Sequence, residues 1–465
     1  MTSTMGTALA KVTINTPARA IDVALPEHVP IAELLPYILR HAGEGAADTG
    51  EQHGGWALRR VGGERLDPRQ TLGAHKVRDG EILHLVPGQV DWPEIEYDDL
   101  VEAIASGARR YGRSWGNAAT RTCGLAAGAV ILLLGTLIVL NFQPPWLVPG
   151  LVLLIAAFVL LVLGVVLARA VPDAQAGAVF AGAGLPYAFL GGFLIAAPDV
   201  GLTDFGSPQW LVGSVVLAVF GILGFAGVGA YARVFVAAVA AGVLGAFGAL
   251  LGGSMSLDGS AALVLATGIA LLPGYPLLAI RLGRLPLPQL PQRATDLLSD
   301  SPAPPAAAVF AATARADEIL SGLLLGLSVT SAVCALFLSA HGGGAQMIML
   351  CLVAVALLLR ARVFPVPRQR VPLLVGGGLA VALLSVWEVA ELDGNVAVGV
   401  FLLVIGMVAG LVVTAGVVYS KQNPSPWLGR ISDFVDIVAM LALIPFAAYL
   451  TGFFAYVQGL MASIG

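Results

Sequence analysis

Apolar and polar residues follow two different rhythms along the chain. Up to about Gly88 they alternate in short runs: Lys11 to Thr16 and Ala18 to Leu25 each place apolar side chains at every second position, as half-buried strands do. Pro17 turns the chain between them. From Pro30 to Arg40 the period changes, and Ile31, Leu34, Leu35, Ile38 and Leu39 recur at helical spacing, predicting one helix with Pro36 inside its first turns. Trp56 to Val61, a short piece at Glu64 to Leu66, and Glu81 to Val86 predict three further strands, the last entered through an Asp79-Gly80 turn. The order is ββαβββ. It predicts a small α+β domain over residues 1–90 with its own two-layer core.

Beyond that domain the helical period returns. Leu100, Ile104, Ala108, Tyr111 and Trp115 share one face of a segment that opens with Asp98, Asp99 and Glu102 and closes with Arg109, Arg110 and Arg113. This polarity complements a helix dipole and sets the basic end against a membrane surface. Residues 91–121 are therefore expected to form an amphipathic juxtamembrane helix that meets lipid headgroups or a partner. From residue 122 to 465 the pattern is a series of apolar runs near the roughly 20 residues needed to cross a bilayer. They fall at 122–141, 146–168, 175–197, 209–229, 234–252, 260–280, 318–340, 345–359, 371–390, 396–419 and 435–457. An all-α polytopic membrane bundle of about eleven transmembrane helices follows.

Charge orients the bundle. Of 25 Lys and Arg residues, thirteen lie at or before Arg121, and the other twelve all fall in alternate gaps between the runs: Arg169; Arg233; Arg281, Arg284, Arg293 and Arg315; Arg360, Arg362, Arg368 and Arg370; Lys421 and Arg430. Positive charge is retained on the cytoplasmic side of short loops, so the N-terminus is expected in the cytoplasm and the C-terminus outside. The extreme N-terminus lacks an apolar core after a basic start, so no cleavable signal peptide is expected. The longest gap, 281–317, is a cytoplasmic loop in which Arg281 and Arg284 precede Pro286, Pro288 and Pro291, a strip that favours extended backbone and suits a linker or a contact surface.

Candidate chemistry is sparse. The chain is 57% apolar and 12% charged, and its net charge of −4 carries no clustered basic face of the kind nucleic acid requires. Five of the six histidines fall in the N-terminal domain without metal-protease or triad spacing, and no Gly-rich stretch is followed by Lys-Ser or Lys-Thr. No cofactor or enzymatic activity is expected, and ATP hydrolysis would come from a partner. Cys123, Cys334 and Cys351 fall inside predicted spans as small packing residues. Ionisable residues at membrane depth, the mark of a pump or transporter, are nearly lacking: Glu388 sits at an outer end, and Asp433 and Asp436 at the cytoplasmic entry of the last span. Pro273 and Pro276, in Leu-Pro-Gly-Tyr-Pro, are expected to kink the sixth span. Glycines four apart at Gly248/Gly252, Gly322/Gly326 and Gly406/Gly410 permit close helix approach, within the bundle or at an oligomer seam.

Two resemblances extend this reading. The ββαβββ order and the stretch Thr71 to Val86 resemble the ubiquitin fold, here followed by more chain and so suited to docking and not to conjugation. The start Lys-Val-Thr-Ile-Asn-Thr-Pro17, the segment Asp91 to Ile104 and the Arg281 to Pro291 strip resemble EccD, the polytopic component of type VII (ESX) secretion systems. That resemblance covers essentially the whole chain. It implies a non-enzymatic scaffold in the bacterial inner membrane that assembles with EccB-, EccC- and EccE-type components. It further implies pairing of two copies around a lipid-filled vestibule, and docking of the ATPase, EccC, by the ubiquitin-like domain. The alternative is a secondary transporter regulated by that domain, suggested by the number of spans and the Pro273/Pro276 break.

Overall fold

The computed structural model of the 465-residue chain describes residues 9–16, 20–42, 55–60, 64–87, 115–138, 143–197, 199, 201, 205–286, 305–390, 394–421 and 425–464. It divides into two compact units, Met1–Ser114 and Trp115–Gly465.

In the first unit, strands β1 (Leu9–Asn15) and β2 (Ala20–Pro26) form an antiparallel hairpin with Val12 opposite Val23. Helix α1 (Ile31–Ala42) follows, then β3 (Trp56–Arg60) and β4 (Ile82–Pro87). The sheet order is β2-β1-β4-β3, with β4 parallel to β1 and antiparallel to β3. The period-two pattern is what the packing uses: Ala10, Val12 and Ile14 point into the core while Leu9 and Lys11 are exposed. Ile31, Leu34 and Ile38 of α1 cover that face together with Leu58, Leu83 and Leu85. This is the expected two-layer, ubiquitin-like arrangement with one difference. The piece at Glu64 to Leu66 makes only a single bridge, Arg59 to Arg65, because buried Leu66 is followed at once by Asp67-Pro68, which carries the chain off the sheet edge.

Arg60 locks this region. Its guanidinium donates from Nε to Glu81 Oε1 (2.7 Å), from Nη1 to Glu64 Oε2 (2.9 Å) and from Nη2 to the His75 carbonyl (2.6 Å). One planar fork thereby ties β3 to the long connection and to the entry of β4. The other oxygen of Glu81 accepts the Arg78 N–H at 2.9 Å. That backbone bond holds the Glu81 carboxyl below its ordinary range, against the opposing effect of burial and with Arg60 adding to it.

The second unit is entirely helical among its described residues. Its helices are α2 (Asn117–Thr136), α3 (Leu147–Arg169), α4 (Ala174–Ile195), α5 (Ser207–Val228), α6 (Ala232–Gly252), α7 (Leu257–Ala270) and α8 (Tyr275–Leu282). They continue with α9 (Ala306–His341), α10 (Gly344–Arg360), α11 (Pro367–Ala390), α12 (Asn395–Lys421), α13 (Pro426–Leu450) and α14 (Phe453–Ile464). With α7 and α8 counted as one, eleven of these are long and apolar enough to cross a membrane.

Helix α2 begins at Asn117, five residues ahead of the expected 122–141, so residues 117–121 of the expected linker belong to it, and two further helices differ more. Residues 306–317, assigned above to the loop, form the first three turns of α9. Their Ala-Ala-Ala-Val-Phe-Ala-Ala sequence has high helix propensity, and a Cβ placed on Gly283 would lie 2.8 Å from the Ala316 Cβ, so the end of α8 packs on this extension. The last span is Pro426–Leu450 and not 435–457. Pro426 starts it at a position where a missing N–H is tolerated, and Gly452, at φ +77°, ends it before α14. Asp433 and Asp436 thus lie about two and three turns inside a helix.

Close helix contact rests on glycine. A Cβ on Gly164 of α3 would sit 2.6 Å from the Gly177 carbonyl of α4, and on Gly326 of α9 it would sit 2.7 Å from the Ala237 carbonyl of α6. Backbones approach there without an intervening side chain. Of the three pairs noted in the sequence, Gly248/Gly252 and Gly322/Gly326 face neighbouring helices, whereas Gly406 and Gly410 face open space.

Candidate functional site

Arg121, Arg169, Arg233, Arg360, Arg362 and Arg368 reach carboxylates or carbonyls that bind one end of the bundle together. Arg121, in the second turn of α2, pairs with Asp173 at 2.5 Å, and Asp173 also caps α4 by accepting the Ala176 N–H. Arg169, in the last turn of α3, donates to the Gly227 and Ala226 carbonyls at the end of α5 (2.8 and 3.2 Å). Arg233 at the start of α6 and Arg368 at the start of α11 converge on Glu318 of α9 (3.3 and 3.7 Å). Beside them the Gln369 side chain donates to Asp317 at 2.6 Å. Arg360, ending α10, reaches Asp436 (3.0 Å) on α13, and Arg362, in the 3₁₀ turn Ala361–Val363 that follows, reaches Asp433. Glu318 and Asp436 are the counter-ions that sequence reading did not pair. The signal was present, since each follows a basic gap by few residues, but the helices around them begin earlier than hydropathy alone places them.

At the opposite end His341 Nδ1, closing α9, lies 3.1 Å from Asp258 Oδ1 at the start of α7, and Gln346 of α10 donates to Asp258 Oδ2 at 3.2 Å. Between the two ends the buried polar side chains are uncharged, among them Ser214 of α5 and Ser328, Thr330 and Ser331 of α9. Glu388 is exposed at the end of α11.

Helices α2 and α12 stand apart. No described side chain on either is buried. Helix α2 is tethered by Arg121 at one end and by the Tyr187 hydroxyl, which donates to the Leu132 carbonyl at 2.6 Å, further along. Helix α12, 27 residues long, exposes Leu402, Leu403, Met407, Leu411 and Val412 by 63–75%. A helix apolar on all sides is normally buried in a bundle or in lipid.

A cavity of about 480 Å³ lies between α4, α5, α6, α7 and α9. It is lined by aliphatic, aromatic and small side chains, with Ser207, Ser214, Ser260 and Thr330 as its hydroxyls, and contains no Asp, Glu, Lys or Arg.

The residues singled out in the sequence are not gathered at one place. Leu100, Ile104, Arg109, Arg110, Tyr111 and Arg113 lie outside the described residues, as do Pro288 and Pro291. Trp115 is 70% exposed just ahead of α2, its indole N–H donating to the Thr120 hydroxyl at 2.7 Å. Arg281, Arg284 and Pro286 are exposed at the end of α8, where Arg284 takes φ +53° and the Leu285 N–H bonds the Ile280 carbonyl, a left-handed helix stop. Pro273 sits in a 3₁₀ turn, Leu272–Gly274, and Pro276 in the first turn of α8, so the sixth span is two helices. Leu272 and Tyr275 pack in the apolar core at this break, and the Tyr275 hydroxyl faces the Gly268 carbonyl at 3.5 Å.

Comparison with known proteins agrees with these features. The family model described as an EccD-like transmembrane domain matches residues 120–460, and that of YukD, of the WXG100 protein secretion system, matches residues 9–85. The ESX-4 secretion system proteins eccD4 of two Mycobacterium tuberculosis strains, CDC 1551 / Oshkosh and H37Rv, are each 26% identical to this chain over 469 residues, covering 97% of both chains. Among solved structures, protomer 1 of the ESX-3 core complex has a TM-score of 0.56 at 21% identity, over 96% of this chain and 100% of that one. A MycP5-free ESX-5 inner membrane complex has a TM-score of 0.54 at 23% identity, over 89% and 100%. With eleven membrane-length helices behind a ubiquitin-like domain and a family match over most of its length, the chain belongs to the EccD family, the polytopic membrane component of type VII (ESX) secretion systems.

Proposed function

We propose that this protein is a non-enzymatic structural subunit of a type VII secretion complex in the bacterial inner membrane. In this reading it scaffolds the assembly and docks the ATPase component through its cytoplasmic N-terminal domain. The observation that carries the reading is α12. A membrane-length helix with no buried side chain among its described ones, and with Gly406 and Gly410 facing open space, fits a chain whose bundle is completed by other subunits. A second copy and the EccB- and EccE-type components are the proposed neighbours, with an EccC-type ATPase engaging the ubiquitin-like domain. The structural relatives, protomer 1 of an ESX-3 core complex and an ESX-5 inner membrane complex, support assembly of this kind.

The orientation follows from charge. Every basic residue after Arg121 lies in an alternate gap or within three turns of one, which supports a cytoplasmic N-terminus and an external C-terminus. The amphipathic segment 91–121 and the Arg281–Pro291 strip then face the cytoplasm as contact surfaces for lipid and partners. Purification from the native membrane in mild detergent tests the proposal: an EccC-type ATPase should co-purify with the full chain and be lost when residues 1–90 are deleted. Recovery of the full chain alone, under conditions that keep the other components together, would refute it.

A further inference from the structure

We propose that the cavity between α4, α5, α6, α7 and α9 holds one acyl chain of a bilayer phospholipid within a single copy of the protein. Its shape is the first argument. Val234, Ala237, Ala241, Gly245 and Gly248 line it at intervals of three and four, so it follows one face of α6 from Val234 to Gly248. That is about 21 Å at the rise of an α-helix, the reach of a long acyl chain and far more than a compact solute needs. The small side chains along this face create the space. Val329, Val333 and Phe337, four apart on α9, supply a second wall.

The chemistry of the lining selects the occupant. Liquid water would fill 480 Å³ with roughly sixteen molecules, each wanting two to four polar partners. The lining offers four hydroxyls, and two of these are turned back on their own helices: Thr330 donates to the Gly326 carbonyl at 3.0 Å and Ser260 to the Leu257 carbonyl at 2.9 Å. Water is poorly accommodated there, and a void of this size left empty would forfeit the contacts of every wall. A hydrocarbon chain satisfies both conditions. With no Lys or Arg in the lining, any charged group must stay at the mouth and only hydrocarbon enters, and the phospholipids of the bilayer are the abundant source of such a chain. The slot reaches the surface at Val329, which is 48% exposed.

The test uses the full chain reconstituted in phosphatidylethanolamine and phosphatidylglycerol vesicles. A small fraction of the phosphatidylethanolamine carries a diazirine midway along one acyl chain, and a parallel sample contains a diazirine fatty acid instead. After irradiation, adducts are located by peptide mass spectrometry. The phospholipid probe should mark the cavity faces of α6 and α9. Ala241→Trp, which fills the slot, and Val333→Trp, from the opposite wall, should each lower those adducts about tenfold. Val243→Trp, on an exposed face of α6, should leave them unchanged. Adducts confined to exposed faces in the wild-type protein would overturn the proposal, and this result needs no variant to fold. Cavity adducts that persist in a folded Ala241→Trp protein, or that form from the fatty acid but not from the phospholipid, would do the same. Modification of the cavity residue Cys334 by a charged thiol reagent in the folded protein would show a water-filled slot and also overturn it.

Discussion

At the scale of single residues, charge and volume set opposite demands in this bundle. Asp436 is buried against Arg360, whose side chain is itself only 20% exposed, so each ion depends on the other for compensation. Arg360→Ala should therefore destabilise the bundle by about 3–5 kcal/mol, because it strands a buried carboxylate. Arg360→Met combined with Asp436→Leu should recover most of that loss, and thermal unfolding in detergent reads both. A double variant as unstable as the single one would mean that the pair does more than cancel its own desolvation. The glycines make the opposite case, that of no room at all. Gly164→Val pushes a side chain into the Gly177 carbonyl and should cost about 1–3 kcal/mol in the same assay, whereas Gly406→Val meets nothing within 4 Å and should leave the unfolding of the isolated chain unchanged.

Among the elements, α12 is where folding and assembly separate. If the neighbour that covers its bare surface is the second copy, Gly406→Cys and Gly410→Cys should each form disulfide-linked dimers on mild oxidation of native membranes. Val243→Cys, on an exposed face of α6, serves as the control and should not. The elements also show what a sequence can convey. Membrane-length helices are legible because one apolar run is one element, and the strand alternation of β1 and the face of α1 are legible because each pattern matches a single buried layer. Hydropathy starts α9 too late because Arg315 and Asp317 read as loop, yet Asp317 accepts the Gln369 side chain of α11 and the next residue, Glu318, pairs with Arg233 of α6 and Arg368 of α11, contacts that belong to no local pattern. Gly452 ended α13 seven residues earlier than hydropathy did, since Phe453 and Phe454 continue the apolar run while the backbone turns. The cavity was illegible for the same reason as the ion pairs: small residues on five helices become a void only when those helices are set side by side.

For the molecule as a whole, the division into two units makes a thermodynamic claim about the first. Its core residues, from Ala10 to Leu85, pack against one another in one cluster, and the Arg60 fork with Glu64, Glu81 and the His75 carbonyl closes within the same unit. Residues 1–90 alone should accordingly fold cooperatively in water, and a disordered spectrum at neutral pH would place the boundary elsewhere. The Glu81 carboxyl then supplies a sign for the pH dependence. Its pKa in the folded domain is lowered from 4.5, first by the Arg78 N–H and further by Arg60, so its contribution to stability is fully present above about pH 4.5 and is lost as pH falls through the folded value. The urea midpoint of the isolated domain should fall on acidification from pH 7 toward pH 3. Glu81→Gln should start lower at pH 7 and show a shallower fall. Arg60→Ala should cost about 1–2 kcal/mol at pH 7, by breaking charge-assisted bonds at a partly exposed site, and should flatten the acid limb only in part, because the Arg78 N–H remains. A Glu81→Gln domain with an unaltered acid limb would move the origin of the pH dependence to another carboxylate.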